Sequence, residues 1–433
     1  MRAQLAAQMQ TLAQSERFGA EDLQALQSMR LRALLQHALA QTDELRERLH
    51  SAGLALADID TAATLARLPL LPRRTLQQQS ARLTSHALPP GHGPTGEVKT
   101  SGSTGEPVTV TRTAINQLMW MAFTLREHLW HQRDFSGRLA AIRANLAGSA
   151  PIQAADWGPP VNLLYASGPG FAMPINTAIS TQKTWLAQVK PHYLLTYPNN
   201  LAALLDGPDD GGFSAVRQIR TVGETLSPAL RQRVHDQLGI GVADTYSSQE
   251  LGVLAIQCPV SGLYHVMEEG YIVEILRPDG APCAQGETGR VVVTDLHNYA
   301  IPLLRYDIGD YASVGPACPC GRAHKTLSAI AGRERNLLRI GKQRYWPLVG
   351  FHSFRDIAPI IQYQLLQHSE QLIEVRLVCA TPLSPAQQQA LTAVIQSALG
   401  HPFQLQFVQF ADRLPLSSNG KFEEFVCLMR QPD

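Results

Sequence analysis

The chain has 433 residues, of which 45% are hydrophobic and 17% are charged. This length exceeds what one hydrophobic core ordinarily organises, so we expect two or more domains. The formal net charge is +1, which gives no electrostatic case for nucleic acid or anionic lipid as the main partner.

No stretch of the sequence predicts a membrane-spanning helix, because none offers about eighteen uninterrupted apolar residues. The first residues lead into a Gln-rich amphipathic stretch rather than the apolar region of a signal peptide. Six cysteines are too few for a disulfide framework in a chain of this length and fit a reducing compartment. We therefore predict a cytoplasmic protein.

The predicted elements begin with helix, since apolar residues recur at helical spacing between Leu23 and Leu39. An exposed connection rich in proline and glycine follows from Leu88 to Gly96. Strand-like and helical runs then alternate, which predicts a layered α/β domain. The strand-like runs are Val108–Val110, Tyr193–Tyr197 and Ile219–Val222, and the helical runs are Asn116–Trp130, Asn200–Leu205 and Ser227–Leu238.

The pattern changes beyond Gly262. Tyr271–Leu276 and Gly289–Thr294 are predicted strands with no long helix between them, which indicates a β-rich subdomain. A polar break follows at Gly332–Arg335. After it, Ser384 and Pro385 predict the N-cap and first turn of a helix that ends at Leu399.

These elements predict an α/β protein with two domains. The large N-terminal domain covers residues 1–334 and combines α/β layers with the β-rich subdomain. The small α+β domain covers residues 335–433, a length that suits a separate C-terminal unit.

The first candidate site is a loop of glycines and small hydroxylated residues. It consists of Thr100, Ser101, Gly102, Ser103, Thr104 and Gly105. Glycines let several backbone N–H groups point at one anion, and hydroxyls add donors, so the loop is suited to phosphate. A solvated Ser/Gly linker explains the loop alone equally well, and it lacks the Gly-Lys-Ser/Thr ending of a Walker loop.

Two carboxylates form the next candidates. Glu250 ends the segment Asp244–Glu250 and is suited to a phosphate-bound Mg²⁺, which commonly takes one or two protein carboxylates. Asp310 follows a glycine after a predicted strand and is suited to accept hydrogen bonds from both hydroxyls of a ribose. The alternatives are a surface acid for Glu250 and an ordinary turn residue for Asp310.

Two basic segments complete the set. Gly332–Arg335 lies at the composition break, where an ordinary charged linker is the alternative. Lys421 follows a glycine near the C-terminus, where it is either solvated or able to neutralise charge that develops in a site.

In this order and at these intervals, the five segments resemble the adenylate-forming superfamily of acyl-CoA synthetases, peptide-synthetase adenylation domains and luciferases. The resemblance runs over nearly the whole chain. Its length and the segments Leu31–Leu54, Leu68–Leu71, 191–198 and Cys318–Arg322 are similar to the branch of phenylacetate–CoA ligases and their capsule-biosynthesis relatives.

The sequence departs from the superfamily pattern at three places. No lysine follows Pro107, Ser247 replaces the usual glycine, and Gln249 replaces the usual Ser/Thr before the glutamate. These departures concern details of phosphate contact rather than the class of reaction.

The resemblance implies ATP-dependent activation of a carboxylic acid as an acyl-adenylate, followed by transfer to a thiol. The acceptor is coenzyme A or, alternatively, the phosphopantetheine arm of an acyl carrier protein. Another alternative is an amide synthetase that transfers the acyl group to an amine. A non-catalytic nucleotide-binding protein is disfavoured, because Lys421, Glu250 and Asp310 are all retained.

The resemblance also assigns roles to residues. Lys421 and Glu250 are the catalytic candidates, Glu250 as the Mg²⁺ ligand, and Arg335 is the hinge. The ATP- and AMP-binding candidates are the loop Thr100 to Gly105 with Gly223, Glu224, Thr225, Tyr246, Ser247, Asp310 and Arg333.

An aromatic acid is expected, because tyrosines and glycines are frequent in the segments assigned to its pocket, where Tyr165, Tyr197 and Ser248 are the candidates. A homodimer is a further expectation. No membrane and no nucleic acid partner is expected.

Four further residues form a candidate structural zinc site. Cys258, His265, Cys318 and Cys320 offer three thiolates and one imidazole, the ligand set of a closed tetrahedral zinc. The Cys-x-Cys spacing is tighter than the common Cys-x₂-Cys. Free thiols in the β-rich subdomain are the alternative.

Overall fold

The computed structural model describes most of the chain. The described residues are 1–93, 95–99, 108–144, 146, 150–206, 211–333, 338–341, 343–345, 354, 356–379, 381–411, 414–415 and 423–429. In these segments, no helix combines the length and the apolar character that crossing a bilayer requires.

Helices form the N-terminal part of the molecule. They are α1 (Arg2–Ser15), α2 (Ala20–Gln41), α3 (Asp43–Ser51), α4 (Ala62–Leu65), α5 (Arg73–Gln78) and α6 (Ser80–Leu83). The helix predicted between Leu23 and Leu39 is confirmed as part of α2. Glu21 and Asp22 occupy its first turn, where the helix dipole favours negative charge. Its buried face packs against apolar residues of later strands, among them Ile272.

A small hairpin-like sheet and a long helix follow. β1 (Gly96–Lys99) and β2 (Thr109–Arg112) pair antiparallel. Helix α7 (Ala114–Trp130) begins after Thr113, whose hydroxyl accepts a hydrogen bond from the Asn116 N–H at 3.4 Å. This confirms the predicted helix and places its start two residues earlier.

Twelve strands among the described residues form one continuous sheet. They are β3 (Leu139–Arg143), β4 (Ile152–Ala154), β5 (Gly170–Pro174), β6 (Tyr193–Thr196), β7 (Gln218–Val222), β8 (Gly241–Ser248), β9 (Gly252–Gln257), β10 (Tyr264–Val266), β11 (Tyr271–Leu276), β12 (Thr288–Asp295), β13 (Tyr306–Val314) and β14 (Thr326–Arg333). Their order across the sheet is β11-β12-β13-β14-β10-β9-β8-β7-β6-β3-β5-β4.

The sheet has a parallel part and an antiparallel part. The neighbours among β5, β3, β6, β7 and β8 run parallel, as expected where helices connect successive strands. From β8 to β11 every neighbouring pair runs antiparallel. The strands expected to form a β-rich subdomain therefore continue the same hydrogen-bonded sheet.

Helices cover the parallel part of this sheet. They are α9 (Ile179–Val189), α10 (Pro198–Leu204) and α11 (Pro228–Leu238). The short helix α8 (Val161–Leu164) precedes them in the chain, and its Val161 belongs to a different core. One core joins Trp185, Leu201 and Leu230 of α9 to α11 with Ile142 and Ile219 of the strands. Helix α7 packs instead on the antiparallel part through a second core.

The C-terminal part has its own sheet and its own core. Its elements are β15 (Leu338–Ile340), β16 (Gln343–Tyr345), β17 (Ile360–Gln367), β18 (Leu372–Cys379), α12 (Pro385–Leu399), β19 (Gln404–Phe410) and β20 (Phe425–Cys427). Four of these strands lie in the order β19-β18-β17-β20. Leu365, Val375 and Ile395 belong to a core separate from those of the large sheet. The predicted boundary between residues 334 and 335 lies outside the described residues.

Candidate functional site

The carboxyl ends of the parallel strands bring several predicted residues to one edge of the large sheet. Tyr197 directly follows β6, and Gly223 directly follows β7. Tyr246 and Ser248 lie at the carboxyl end of β8. Open α/β sheets commonly bind ligands at this edge, because loops leaving neighbouring strands form a crevice there. This edge is therefore the candidate binding site.

The segment assigned to adenine is held against the start of α10. The Glu224 carboxylate accepts hydrogen bonds from the Asn199 backbone N–H at 3.1 Å and from its Nδ2 at 2.9 Å. Gly223 has φ +80°, a left-handed conformation that disfavours any residue with a Cβ. Thr225 is exposed. The glycine and the glutamate thus fix this turn beside the end of β6.

A hydrogen bond joins two predicted nucleotide-binding residues. The Tyr246 hydroxyl donates to Oδ2 of Asp310 at 2.8 Å, and both side chains are buried. Gly309 has φ +80° and turns the chain immediately before Asp310. The structure therefore brings together β8 and β13, although these residues are far apart in sequence.

Glu250 lies close to this pair. It is 2% exposed, and Oε1 accepts a hydrogen bond from Nη1 of Arg73. The same Nη1 donates to the Tyr306 hydroxyl at 3.0 Å. Burial, with the nearby Glu250 charge, raises the pKa of Tyr306 above its ordinary range, so this hydroxyl stays protonated. A buried carboxylate at a sheet edge fits a Mg²⁺ that takes most of its other ligands from phosphate and water.

Sequence reasoning missed Arg73. It begins α5 after Pro72 and directly precedes a second arginine, Arg74. Nothing in the local pattern separates the two, because both read as charged residues at the start of a short helix. The only available signal was their position just after Leu68–Leu71, a segment similar to the phenylacetate–CoA ligase branch.

The strand that follows the predicted phosphate loop also reaches this region. Nη2 of Arg112, in β2, donates to the backbone carbonyl of Gln249. Ser247 lies at a bulge between β8 and β9, with Val253 as its partner. The chain leaving the loop is therefore tied to the segment that carries Glu250.

The three residues predicted to line the acid pocket do not lie together. The Tyr197 hydroxyl accepts a hydrogen bond from the Ala144 N–H at 3.2 Å, and Oγ of Ser248 accepts one from the Leu251 N–H at 3.1 Å, both at the carboxyl edge of the sheet. Tyr165 is 41% exposed and packs against Phe135 in a tilted arrangement, with 5.0 Å between the ring centroids. Phe135 precedes the start of β3. Tyr165 thus lies at the opposite edge of the strands.

Several predicted residues lie outside the described part of the chain. They are Thr100, Ser101, Gly102, Ser103, Thr104, Gly105, Arg335 and Lys421. Arg333 is described only through its backbone, which pairs with Asp310 between β13 and β14. Their assigned roles remain predictions.

The predicted metal ligands converge. The ligand atoms of Cys258, His265, Cys318 and Cys320 all lie within 4.8 Å of one another. Sγ of Cys258 lies 3.7 Å from Sγ of Cys318, and Sγ of Cys320 lies 3.2 Å from Nε2 of His265. Burial lowers the pKa of His265 to about 4, which keeps the imidazole neutral and able to ligate. The cluster could hold a metal ion.

A buried network connects this cluster to the carboxyl edge. Tyr264, next to His265, donates its hydroxyl to Oδ2 of Asp244 at 2.8 Å, and the Thr221 hydroxyl donates to Oδ1 at 2.6 Å. The Gln257 side chain accepts from the Asp244 N–H at 3.0 Å. Burial raises the pKa of Asp244, while these hydroxyl donors oppose the rise. The residues that precede Gly223 and Tyr246 are thus fixed by the turn that carries the metal ligands.

No protein-family model matches the chain. The phenylacetate-coenzyme A ligase of Escherichia coli is 26% identical over 348 residues, 76% of this chain and 75% of that one. The enzyme of the same name from Thermus thermophilus is 33% identical over 129 residues, 29% of each chain. The solved 2-hydroxyisobutyryl-CoA ligase, in the postadenylation state with R3-HIB-AMP, aligns over 96% of this chain and 91% of its own, with a TM-score of 0.73 and 15% identity.

The two kinds of comparison agree with the motifs. The sequence similarity to phenylacetate-coenzyme A ligases extends over about three quarters of the chain, and the structural similarity extends over almost all of it. The chain is phenylacetate–coenzyme A ligase-like in sequence and has the α/β fold of the adenylate-forming superfamily, with a large N-terminal and a small C-terminal part.

Proposed function

We propose that this protein is an AMP-forming acid–thiol ligase that activates a carboxylic acid with ATP and transfers the acyl group to coenzyme A. The observation that carries the proposal is the contact between Tyr246 and Asp310 beside the buried Glu250, at the carboxyl edge of the parallel strands. The ligases that resemble the chain in sequence and in fold support the same reaction.

In the first half-reaction, an oxygen of the substrate carboxylate attacks the α-phosphorus of ATP. The bond from that phosphorus to the bridging oxygen breaks, and pyrophosphate leaves with the electron pair. The protein has little covalent chemistry to perform in such a transfer, so positioning and charge stabilisation dominate. Asp310 would accept hydrogen bonds from the ribose hydroxyls, and Glu250 would bind the Mg²⁺ that accompanies the phosphates. Lys421 would neutralise the negative charge that develops at the reacting oxygens.

In the second half-reaction, the sulfur of a thiol attacks the acyl carbon, and the thiol proton passes to water. The bond from the acyl carbon to the phosphate oxygen breaks, and AMP leaves with the electron pair. In this proposal, residues 335–433 form the C-terminal domain that carries Lys421, and Arg335 is its hinge. Movement of this C-terminal part would withdraw Lys421 and give the thiol access to the adenylate.

The acid in this proposal is aromatic. The support is the position of Tyr197 and Ser248 at the carboxyl edge, together with the phenylacetate-coenzyme A ligases that the chain resembles. Tyr165 contributes no support, because it lies at the opposite edge of the strands.

Zinc is the metal that we propose for the cysteine and histidine cluster. A tetrahedral zinc with Zn–S bonds of about 2.3 Å separates two sulfurs by about 3.8 Å. The sulfurs of Cys258 and Cys318 lie 3.7 Å apart. Backbone and side-chain donors of Ser261 lower the pKa of Cys258 despite burial, which favours its thiolate. We also assign the protein to the cytoplasm, since none of the described cysteines forms a disulfide, as suits a reducing compartment.

ATP–pyrophosphate exchange tests the activation step. We expect exchange with aromatic acids, for which phenylacetate, benzoate and anthranilate are tested. Alkyl acids such as 2-hydroxyisobutyrate and octanoate are tested for comparison. Exchange with alkyl acids alone would contradict the aromatic assignment, and exchange with no acid would contradict the adenylation itself.

The acceptor is tested by mass spectrometry of the products. The protein is incubated with ATP and the acid found in the exchange screen, and separately with coenzyme A, a holo acyl carrier protein or a primary amine. Acyl-CoA is the expected product. An acylated carrier protein or an amide, formed without acyl-CoA, would assign the corresponding alternative acceptor.

Lys421→Ala tests the division between the two half-reactions. Loss of one stabilising cation should slow ATP–pyrophosphate exchange by about a hundred-fold or more. Thioester formation from preformed acyl-adenylate should continue, because the proposal withdraws Lys421 in that step. Equal losses in both assays would refute the role of Lys421.

A further inference from the structure

The buried ion pair between Arg73 and Glu250 lies where the proposed function requires a magnesium ligand. The Arg73 side chain is 17% exposed and the Glu250 side chain is 1% exposed. Nη1 of Arg73 donates both to Oε1 of Glu250 and to the Tyr306 hydroxyl. The carboxylate is thus held by a cation that the protein itself supplies.

The position of Arg73 is fixed by backbone pairing. The Leu71 N–H donates to the Arg305 carbonyl, and the Asp307 N–H donates to the Leu71 carbonyl, each at 2.9 Å. The Arg305 guanidinium also donates to the Leu68 carbonyl at 2.5 Å. The segment before α5 therefore lies along the start of β13, and Arg73 is placed beside Tyr306 by the fold.

The ion pair with Arg73 and the proposed binding of Mg²⁺ both use the Glu250 carboxylate. A guanidinium and a Mg²⁺ repel each other, so each weakens the binding of the other to one buried carboxylate. If Glu250 binds the metal, the partly buried Arg73 loses the carboxylate that it pairs with, and such a loss is unfavourable unless another anion replaces it. A nucleotide that brings the Mg²⁺ also brings phosphate oxygens, and guanidinium groups pair well with these.

We propose that Arg73 exchanges partners when Mg·ATP binds. In the nucleotide-free protein it neutralises Glu250 and keeps free divalent cations away from the carboxylate. In the complex it pairs with phosphate oxygens of the nucleotide, while Glu250 turns to the metal. Arg73 is thereby a further nucleotide-binding residue, and it makes metal binding depend on nucleotide. This inference rests on the proposed function, since it assumes Mg·ATP as the ligand.

The test compares Arg73→Gln with Arg74→Gln, its exposed neighbour on α5. Mn²⁺ binding is measured by electron paramagnetic resonance without nucleotide, and Mg·ATP binding is measured by calorimetry without acid. Arg73→Gln should bind Mn²⁺ at least about tenfold more tightly than the wild type, and Mg·ATP at least about tenfold more weakly. Arg74→Gln should match the wild type in both. Unchanged Mn²⁺ or Mg·ATP affinity in Arg73→Gln would overturn the inference.

Glu250→Gln provides a second, independent arm. Removal of the carboxylate releases Arg73 for phosphate, so this variant should bind ATP in the presence of EDTA more tightly than the wild type. Weaker or equal binding overturns the exchange of partners. None of these readouts needs turnover. Failure of the acid-dependent exchange alone would refute the proposed adenylation, whereas failure of the Mn²⁺ and ATP measurements would refute the role of Arg73.

Discussion

Glu127 offers a direct test of how charge is buried in this fold. It is fully buried in α7 and pairs with both ends of the Arg133 guanidinium, at 2.6 and 2.7 Å. Nε of Arg220, in β7, lies 2.9 Å from the same carboxylate. Glu127→Gln keeps the shape of the side chain but removes the negative charge that pairs with both guanidinium groups. Removal of one partner from a buried pair costs about 3–5 kcal/mol.

Urea unfolding measures this loss, and tryptophan fluorescence can follow it because Trp157 packs on His128, next to Glu127. With an m-value of about 3 kcal/mol/M, the midpoint should fall by about 1–2 M. The matched control is Glu287→Gln, which removes the carboxylate from an exposed pair with Arg277 and should change the midpoint little. Equal midpoints for the two variants would refute the reasoning.

The pH dependence of this loss has a definite sign. Burial alone would raise the pKa of Glu127, but Arg133 and Arg220 outweigh it and hold the pKa below the ordinary 4.5. A carboxyl group whose pKa is lower in the folded protein than in the unfolded chain stabilises the fold at pH values above its unfolded pKa. This contribution to the free energy of unfolding is lost as the pH falls towards the folded pKa. The difference between the wild type and Glu127→Gln should therefore be complete at pH 7 and shrink below about pH 4.5. A difference that is independent of pH would contradict the assignment of the charge.

Two further predictions concern the site and the metal cluster. Tyr246→Phe removes the hydroxyl that donates to Asp310 and should weaken AMP binding about tenfold, as measured by calorimetry. A change below about twofold would contradict the role of Tyr246 in positioning Asp310. Cys318→Ser should lose most of the bound zinc in atomic absorption measurements, because a closed site needs all four ligands, while Cys283→Ser should retain it. Equal zinc contents in the two variants would place the metal elsewhere.

Sequence signals that act between near neighbours in the chain, such as helix caps, correctly predicted the ends of a helix. Ser384 accepts a hydrogen bond from the Gln387 N–H at 3.2 Å, and helix Pro385–Leu399 begins and ends where the sequence indicated. The capping hydroxyl and the proline act within one turn of the chain, so no knowledge of the fold is needed. The convergence of the three cysteines with His265 was also predictable, since few residue types serve as metal ligands.

The residues that sequence reasoning missed are those that the fold alone brings together. Arg73 and Arg74 carry the same charge in the same helix, and only the pairing of Leu71 with β13 selects Arg73 as the partner of Glu250. The placement of Tyr165 depends in the same way on tertiary structure. A tyrosine in a glycine-rich segment suggests a pocket, but the segment enters β5 from its amino end, opposite the site.

The metal cluster and the candidate nucleotide site are physically connected, which explains how a structural metal could matter for a reaction it does not touch. Asp244 receives hydroxyl donors from Tyr264, beside a metal ligand, and from Thr221, two residues before Gly223. Two residues after Asp244, Tyr246 holds Asp310. A metal at the cluster would fix the turn that carries Tyr264, and through Asp244 it would hold the ends of β7 and β8 in register. Its contribution to catalysis would then be the rigidity of the edge on which the nucleotide is positioned.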